Sequence, residues 1–93
     1  MIRSFKDKKT ELVYGGKCPK GFPPDLFKVA RRKPAAVDAA ASLADLAALR
    51  GNRLEALVGD RSGQHSIRIN DQFRVCFRWT EEGPSNVEIV DYH

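Results

Sequence analysis

The hydrophobic pattern of this chain changes period once, and that change restricts the fold more than any other feature. Between residues 24 and 41 the apolar side chains Leu26, Val29, Ala30, Val37, Ala40 and Ala41 recur at helical spacing, with Lys28, Arg31, Arg32 and Lys33 filling the gaps. From residue 64 onward the period is two: Ile67, Ile69, Phe73, Val75, Phe77 and Trp79 share odd parity across a break at Asn70, Asp71 and Gln72. In a chain of 93 residues, 42% hydrophobic, both patterns are satisfied by one core, with a helical layer covering the apolar face of a small sheet. The expectation is a single α+β domain over residues 1–93.

Local signals divide the chain further. Residues 1–5, MIRSF, read as a short strand, and residues 7–14 as about two helical turns stopped by Gly15 and Gly16. Residues 16–24 form a basic loop. Pro34 removes a backbone donor and crowds the carbonyl four residues earlier, which predicts a kink or break near Lys33. Ser42 and Asp45 stand at capping-box spacing and should open a short helix over residues 43–49, ended by Gly51 and Asn52. A turn is expected over residues 81–86 and a final strand over residues 87–93. There is no internal repeat, low-complexity tract or linker.

Charge and cysteine content exclude several classes. The net charge of +4 is uneven, because residues 1–40 carry ten Lys/Arg against four Asp/Glu while residues 41–93 carry six against eight. A basic N-terminal half suits an anionic polymer, and it equally suits simple solubility. Cys18 and Cys76 are too far apart in sequence for a CxxC redox pair or a four-ligand zinc pattern, so no metal and no cofactor is implied. No apolar run approaches the ~20 residues that cross a bilayer, and the opening MIRSFKDKK lacks the apolar core of a signal peptide. A cytoplasmic protein with reduced thiols and no membrane association is expected.

Two groups of side chains could carry chemistry. On the second half's polar face, Ser66, Arg68, Asn70, Arg74, Cys76 and Arg78 share even parity, which places up to three guanidiniums on one side of the sheet. A guanidinium's forked donors match phosphate geometry and can stabilise charge developing on it; the alternative is a solvated face paired with Glu88 or Asp91. At the end of the chain, Asp91, Tyr92 and His93 crowd a carboxylate, a phenol and an imidazole. His93 could exchange a proton near neutral pH with Asp91 orienting it, or Tyr92 could cap the core while His93 frays. His65 shares parity with Ile67 and reads as a core-edge histidine, Cys76 has no histidine at an interpretable spacing, and the turn over residues 59–63 offers Arg61 to a ligand.

Three longer runs are more specific. GNRLEAL at residues 51–57, GDRSGQHSIRINDQFRVCFRW at residues 59–79 and VEIVDYH at residues 87–93 closely resemble the HigB toxins, a branch of the RelE-like family, and the opening MIRSF and the Leu/Ala-rich helical stretch fit as well. The resemblance covers nearly the whole chain and is weakest over residues 7–24.

The resemblance implies two or three N-terminal helices against a mostly antiparallel sheet, and the toxin of a type II toxin-antitoxin system. It implies an mRNA interferase, a ribosome-dependent endoribonuclease that inhibits translation by metal-free attack of the 2′-hydroxyl on the adjacent phosphate. The partners it implies are the ribosome and its rRNA, mRNA, a HigA-like helix-turn-helix antitoxin, and operator DNA through the antitoxin complex. Carried over by position, the catalytic residues are Asp91, Tyr92, His93 and Arg74, with Arg68, Asn70, Arg61 and Arg78 as RNA contacts. Some members place a His and a Lys where this chain has Glu55 and Val58, so the resemblance leaves the general base open. A catalytically weak RNA- or antitoxin-binding module of the same fold, acting mainly in operon autoregulation, is the alternative.

Overall fold

The computed structural model of the protein describes residues 1–91. Helix α1, Lys8–Tyr14, begins where Asp7 accepts the Thr10 backbone N–H on Oδ1 at 2.8 Å, and it stops at Gly15 and Gly16 as the sequence predicts. A 3-10 turn over Pro24–Leu26 leads into α2, Phe27–Ala39. This helix runs through Pro34 without a break; of the two expected outcomes, a kink or a break, the break is excluded. Its buried residues Ala30, Pro34 and Val37 lie at i, i+4 and i+7 on one stripe, so packing against the core offsets the lost backbone bond and the crowded carbonyl, together about 3 kcal/mol for an interior proline. Helix α3, Leu43–Ala47, is shorter than expected; Ser42 Oγ accepts from Asp45 N–H at 3.4 Å, and Asp45 Oδ2 accepts from Ala41 N–H at 2.9 Å.

The sheet has the order β1-β2-β3-β4 and every neighbouring pair is antiparallel: β1 Glu55–Ala56, β2 His65–Arg68, β3 Phe73–Thr80, β4 Gly83–Asp91. The turn before β4 is tighter than the sequence suggests, because Gly83 already pairs with Thr80 and Pro84 with Trp79. Pro84 is tolerated on this edge strand. A bulge then follows, in which Cys76 faces Glu88 but Arg78 faces Ser85; Asn86 takes the extra position with φ of 53°, a left-handed conformation that Asn accepts readily. The expected N-terminal strand is reduced to one parallel bridge between Phe5 and Val87, flanked by Lys6 N–H to the Val87 carbonyl at 2.9 Å and Val87 N–H to the Ser4 carbonyl at 3.1 Å. Too few residues pair there to make a strand, yet they cover the open edge of β4.

The core lies between α1, α2 and the odd-numbered face of the sheet. Val13, Ala30, Val37, Ile67, Val75, Phe77 and Val87 are fully buried there. Thr10 joins the layers directly, its Oγ1 accepting from the Ile89 backbone N–H at 2.9 Å and so fixing the last part of β4 against α1. No helix among the described residues is long and apolar enough to cross a membrane. The α+β class and the helix-on-sheet layering expected from the change of period are what the fold contains.

Candidate active site

On the even-numbered face of the sheet one row runs across all four strands, Glu55, Ser66, Cys76 and Glu88, and the next row holds Arg68, Arg74 and Val90. The face is not the open, solvated surface that alternation suggests. Ser66 and Cys76 are both fully buried. Arg74 leans back over Ser66 in the first row: its Nε donates to Ser66 Oγ at 2.7 Å, and Nη2 donates to the Arg53 carbonyl at 2.6 Å. Nη1 lies 3.8 Å from Glu55 Oε1, and the Arg74 side chain is 11% exposed against 57% for Glu55. Two corners of the guanidinium are therefore fixed by the fold, and the third faces a carboxylate that solvent and ligands can reach.

The Arg53 carbonyl is aimed by local geometry. A 3-10 turn over Arg50–Asn52 ends in Arg53 with φ of 45° and ψ of 57°, a left-handed conformation that costs a non-glycine residue roughly 1–2 kcal/mol. Buried Asn52 holds the turn, its Nδ2 donating to the Leu46 carbonyl at 3.1 Å while its Oδ1 accepts from Lys33 Nζ at 2.8 Å. Burial pushes the Lys33 ammonium below the usual lysine range, with Arg32 and Arg68 adding to the effect. A tie thus runs from α2 through Asn52 and Arg53 to Arg74. In the sequence, Gly51 and Asn52 signal only a helix stop.

The other arginines are spent differently. Arg61 Nη1 donates to Glu88 Oε1 at 2.6 Å and to Gln64 Oε1 at 3.2 Å, and Lys6 Nζ approaches the same Glu88 oxygen at 3.9 Å. These charges sit beside the Cys76 thiol, whose pKa is raised mainly by burial. Arg68 is paired with Asp71. Asn70 Oδ1 accepts the backbone N–H groups of Gln72 at 2.9 Å and Phe73 at 2.7 Å, so this side chain builds the β2–β3 turn. Arg78 is exposed, and its guanidinium makes no ion pair or hydrogen bond among the described residues; its backbone carbonyl accepts from Ser85 Oγ at 3.4 Å.

Asp91 lies across from Phe73 on the opposite, helix-covered face, where its Oδ2 accepts from Gln72 Nε2 at 3.1 Å. It borders a cleft of about 300 Å³ whose walls include Phe22, Phe73, Ile89 and Lys9. Arg74 and Asp91 are nearly level along the strands, one pairing with Val90 and the other with Phe73, but they point to different faces. Chemistry that used both would sit at the rim of the sheet where β4 ends. Tyr92 and His93 lie outside the described residues. Among the described residues no cluster of His, Cys, Asp or Glu is placed to hold a metal ion.

The family of RelE-like toxins of the type II toxin-antitoxin system HigB matches residues 3–93. The chain belongs to the HigB-like toxins. It is also similar to toxin HigB-1 of Vibrio cholerae serotype O1 (strain ATCC 39315 / El Tor Inaba N16961), with 38% identity over 82 residues that cover 87% of this chain and 86% of the relative. A HigB-like toxin acts opposite an antitoxin, so the protein has such a partner, and its α+β fold is the compact one that the RelE-like resemblance implies.

Proposed function

We propose that this HigB-like toxin is a ribosome-dependent endoribonuclease that cleaves translated mRNA, with Arg74 binding the scissile phosphate. The observation that carries the reading is the anchoring of Arg74 by Ser66 and Arg53, which leaves Nη1 beside Glu55. A phosphate entering there displaces a weak ion pair and accepts from a guanidinium that needs no reorganisation. The 2′-hydroxyl attacks phosphorus, its proton passing to Glu55, and the bond to the 5′-oxygen breaks as that oxygen takes a proton from His93. Asp91 orients His93, and Tyr92 stacks on or hydrogen-bonds the nucleotide. The products are a 2′,3′-cyclic phosphate and a 5′-hydroxyl end; no metal is required for this displacement. Arg78, Arg61, Arg68 and the Asn70 amide contribute contacts along the RNA, and the ribosome supplies the remaining positioning.

In the same proposal the toxin is cytoplasmic, its antitoxin is a HigA-like helix-turn-helix protein, and the complex binds operator DNA. Induction followed by primer extension on translated messages tests the enzyme. New 5′ ends inside reading frames are expected, and they should disappear with Arg74→Ala or when the last two residues are deleted. Growth arrest with no new ends would sink the reading, as would undiminished cleavage by both variants. One observation favours the second reading, a catalytically weak binding module: this chain has Glu55 and Val58 where some members of the family it resembles place a His and a Lys. That reading expects no cleavage even at high toxin levels.

A further inference from the structure

A second surface lies on the helical layer, away from Arg74. A groove of about 540 Å³ is lined by Tyr14 of α1 and by Phe27, Lys28, Arg31, Arg32 and Ala35 of α2. Lys28, Arg31, Arg32 and Ala35 stand at i, i+3, i+4 and i+7, so they form one continuous stripe along the helix, and all four are exposed. Among the described residues none of the three cations is in an ion pair. The nearby acid is already engaged: Asp38 accepts the Ile2 backbone N–H at 2.6 Å and the Tyr14 hydroxyl. Burial and this carboxylate hold the Tyr14 phenol above the usual tyrosine range, and its ring packs on Phe5 with centroids 5.8 Å apart. Tyr14 is thus a fixed apolar wall, and its ring is not a free platform for a base.

We infer that this groove is the docking site for the antitoxin, which places an acidic amphipathic helix along α2. The charge complementarity is specific: carboxylates on one side of such a helix meet Lys28, Arg31 and Arg32, while its apolar side fills the space between Tyr14, Phe27 and Ala35. An RNA backbone would use the cations but leave the apolar walls empty. The net charge of +6 over residues 1–40 extends the same attraction to the approach of the partner. This inference rests on membership of the toxin-antitoxin family and does not depend on the cleavage reading.

The test compares folded toxin variants for binding to the antitoxin from the toxin's own operon and for co-sedimentation with ribosomes. Arg31→Glu with Arg32→Glu should weaken antitoxin binding about 100-fold, and Ala35→Arg, which fills the groove without removing a cation, about tenfold. A charge-matched control in the basic loop, Lys17→Glu with Lys20→Glu, should change it less than about threefold. Thermal melts confirm folding, and if the double reversal is unfolded the exposed Ala35 substitution decides alone. Unchanged antitoxin affinity in Ala35→Arg overturns the inference. So does loss of ribosome binding with antitoxin affinity intact, which would assign the groove to RNA.

Discussion

Each face of the sheet buries some side chains completely, and the two do so by opposite means. On the helix-covered face Ile67, Val75 and Phe77 are sealed by other apolar groups, and no partner geometry is required of them. On the other face Ser66 and Cys76 are equally inaccessible, but what surrounds them is charged: Arg74, Arg61 and Glu88. The apolar face tolerates any packing that excludes water. The polar face must satisfy each donor and acceptor, so it fixes atoms in defined places. A site that has to hold a phosphate belongs on the second kind of surface.

Breaking the apolar face should have the largest effect. Phe77→Ala removes the largest fully buried side chain among the described residues and is expected to cost about 3–5 kcal/mol in urea unfolding. On the polar face, Ser66→Ala leaves the Arg74 Nε without its acceptor, at an expected cost of about 1–3 kcal/mol. Cleavage by that variant should fall more than stability does, because the guanidinium is no longer oriented; equal residual activity in Ser66→Ala and wild type would show that Arg74 needs no anchor. A finer contrast is offered by the thiols. Exposed Cys18 should alkylate rapidly in the native protein while buried Cys76 reacts only on unfolding. Since the folded Cys76 pKa is raised above the ordinary 9.0, the native state keeps its proton longer than the unfolded chain. Its contribution is present below pH 9.0 and lost as pH rises beyond it, so wild type should lose stability faster than Cys76→Ala in alkaline unfolding titrations. The smallest effect is expected for exposed Arg78→Ala, within about 0.5 kcal/mol in stability, with any loss confined to RNA binding.

Legibility followed the same division. The odd-parity residues and the helical stripe of α2 were readable because hydrophobic burial depends on periodicity alone. A break at Pro34 does not occur, because the local rule meets the packing of Ala30, Pro34 and Val37 against the core. Asn70 was expected to contact RNA, and its carbonyl oxygen is used in closing the β2–β3 turn. Glu88 was visible as a possible partner for the sheet arginines. The arginine that takes it is Arg61, which it meets only through the register of β3 and β4 and the path of the loop before β2, while Arg68 pairs with Asp71 of its own turn. The support of Arg74 by Arg53 was not readable at all, because it requires a left-handed residue whose carbonyl comes from 21 positions away.

The sequence by itself determined the layering of helix on sheet, the parity that puts Arg68 and Arg74 on one face, and the family, because these depend on residue type and spacing along the chain. Only the tertiary structure decided which guanidinium is anchored, that Glu55 stands 3.8 Å from it, and that Asp91 faces the other side of the sheet from Arg74. The physical reason is range: apolar burial is set by local periodicity, whereas hydrogen bonds and ion pairs act over a few ångströms and form only after distant segments have been brought into register.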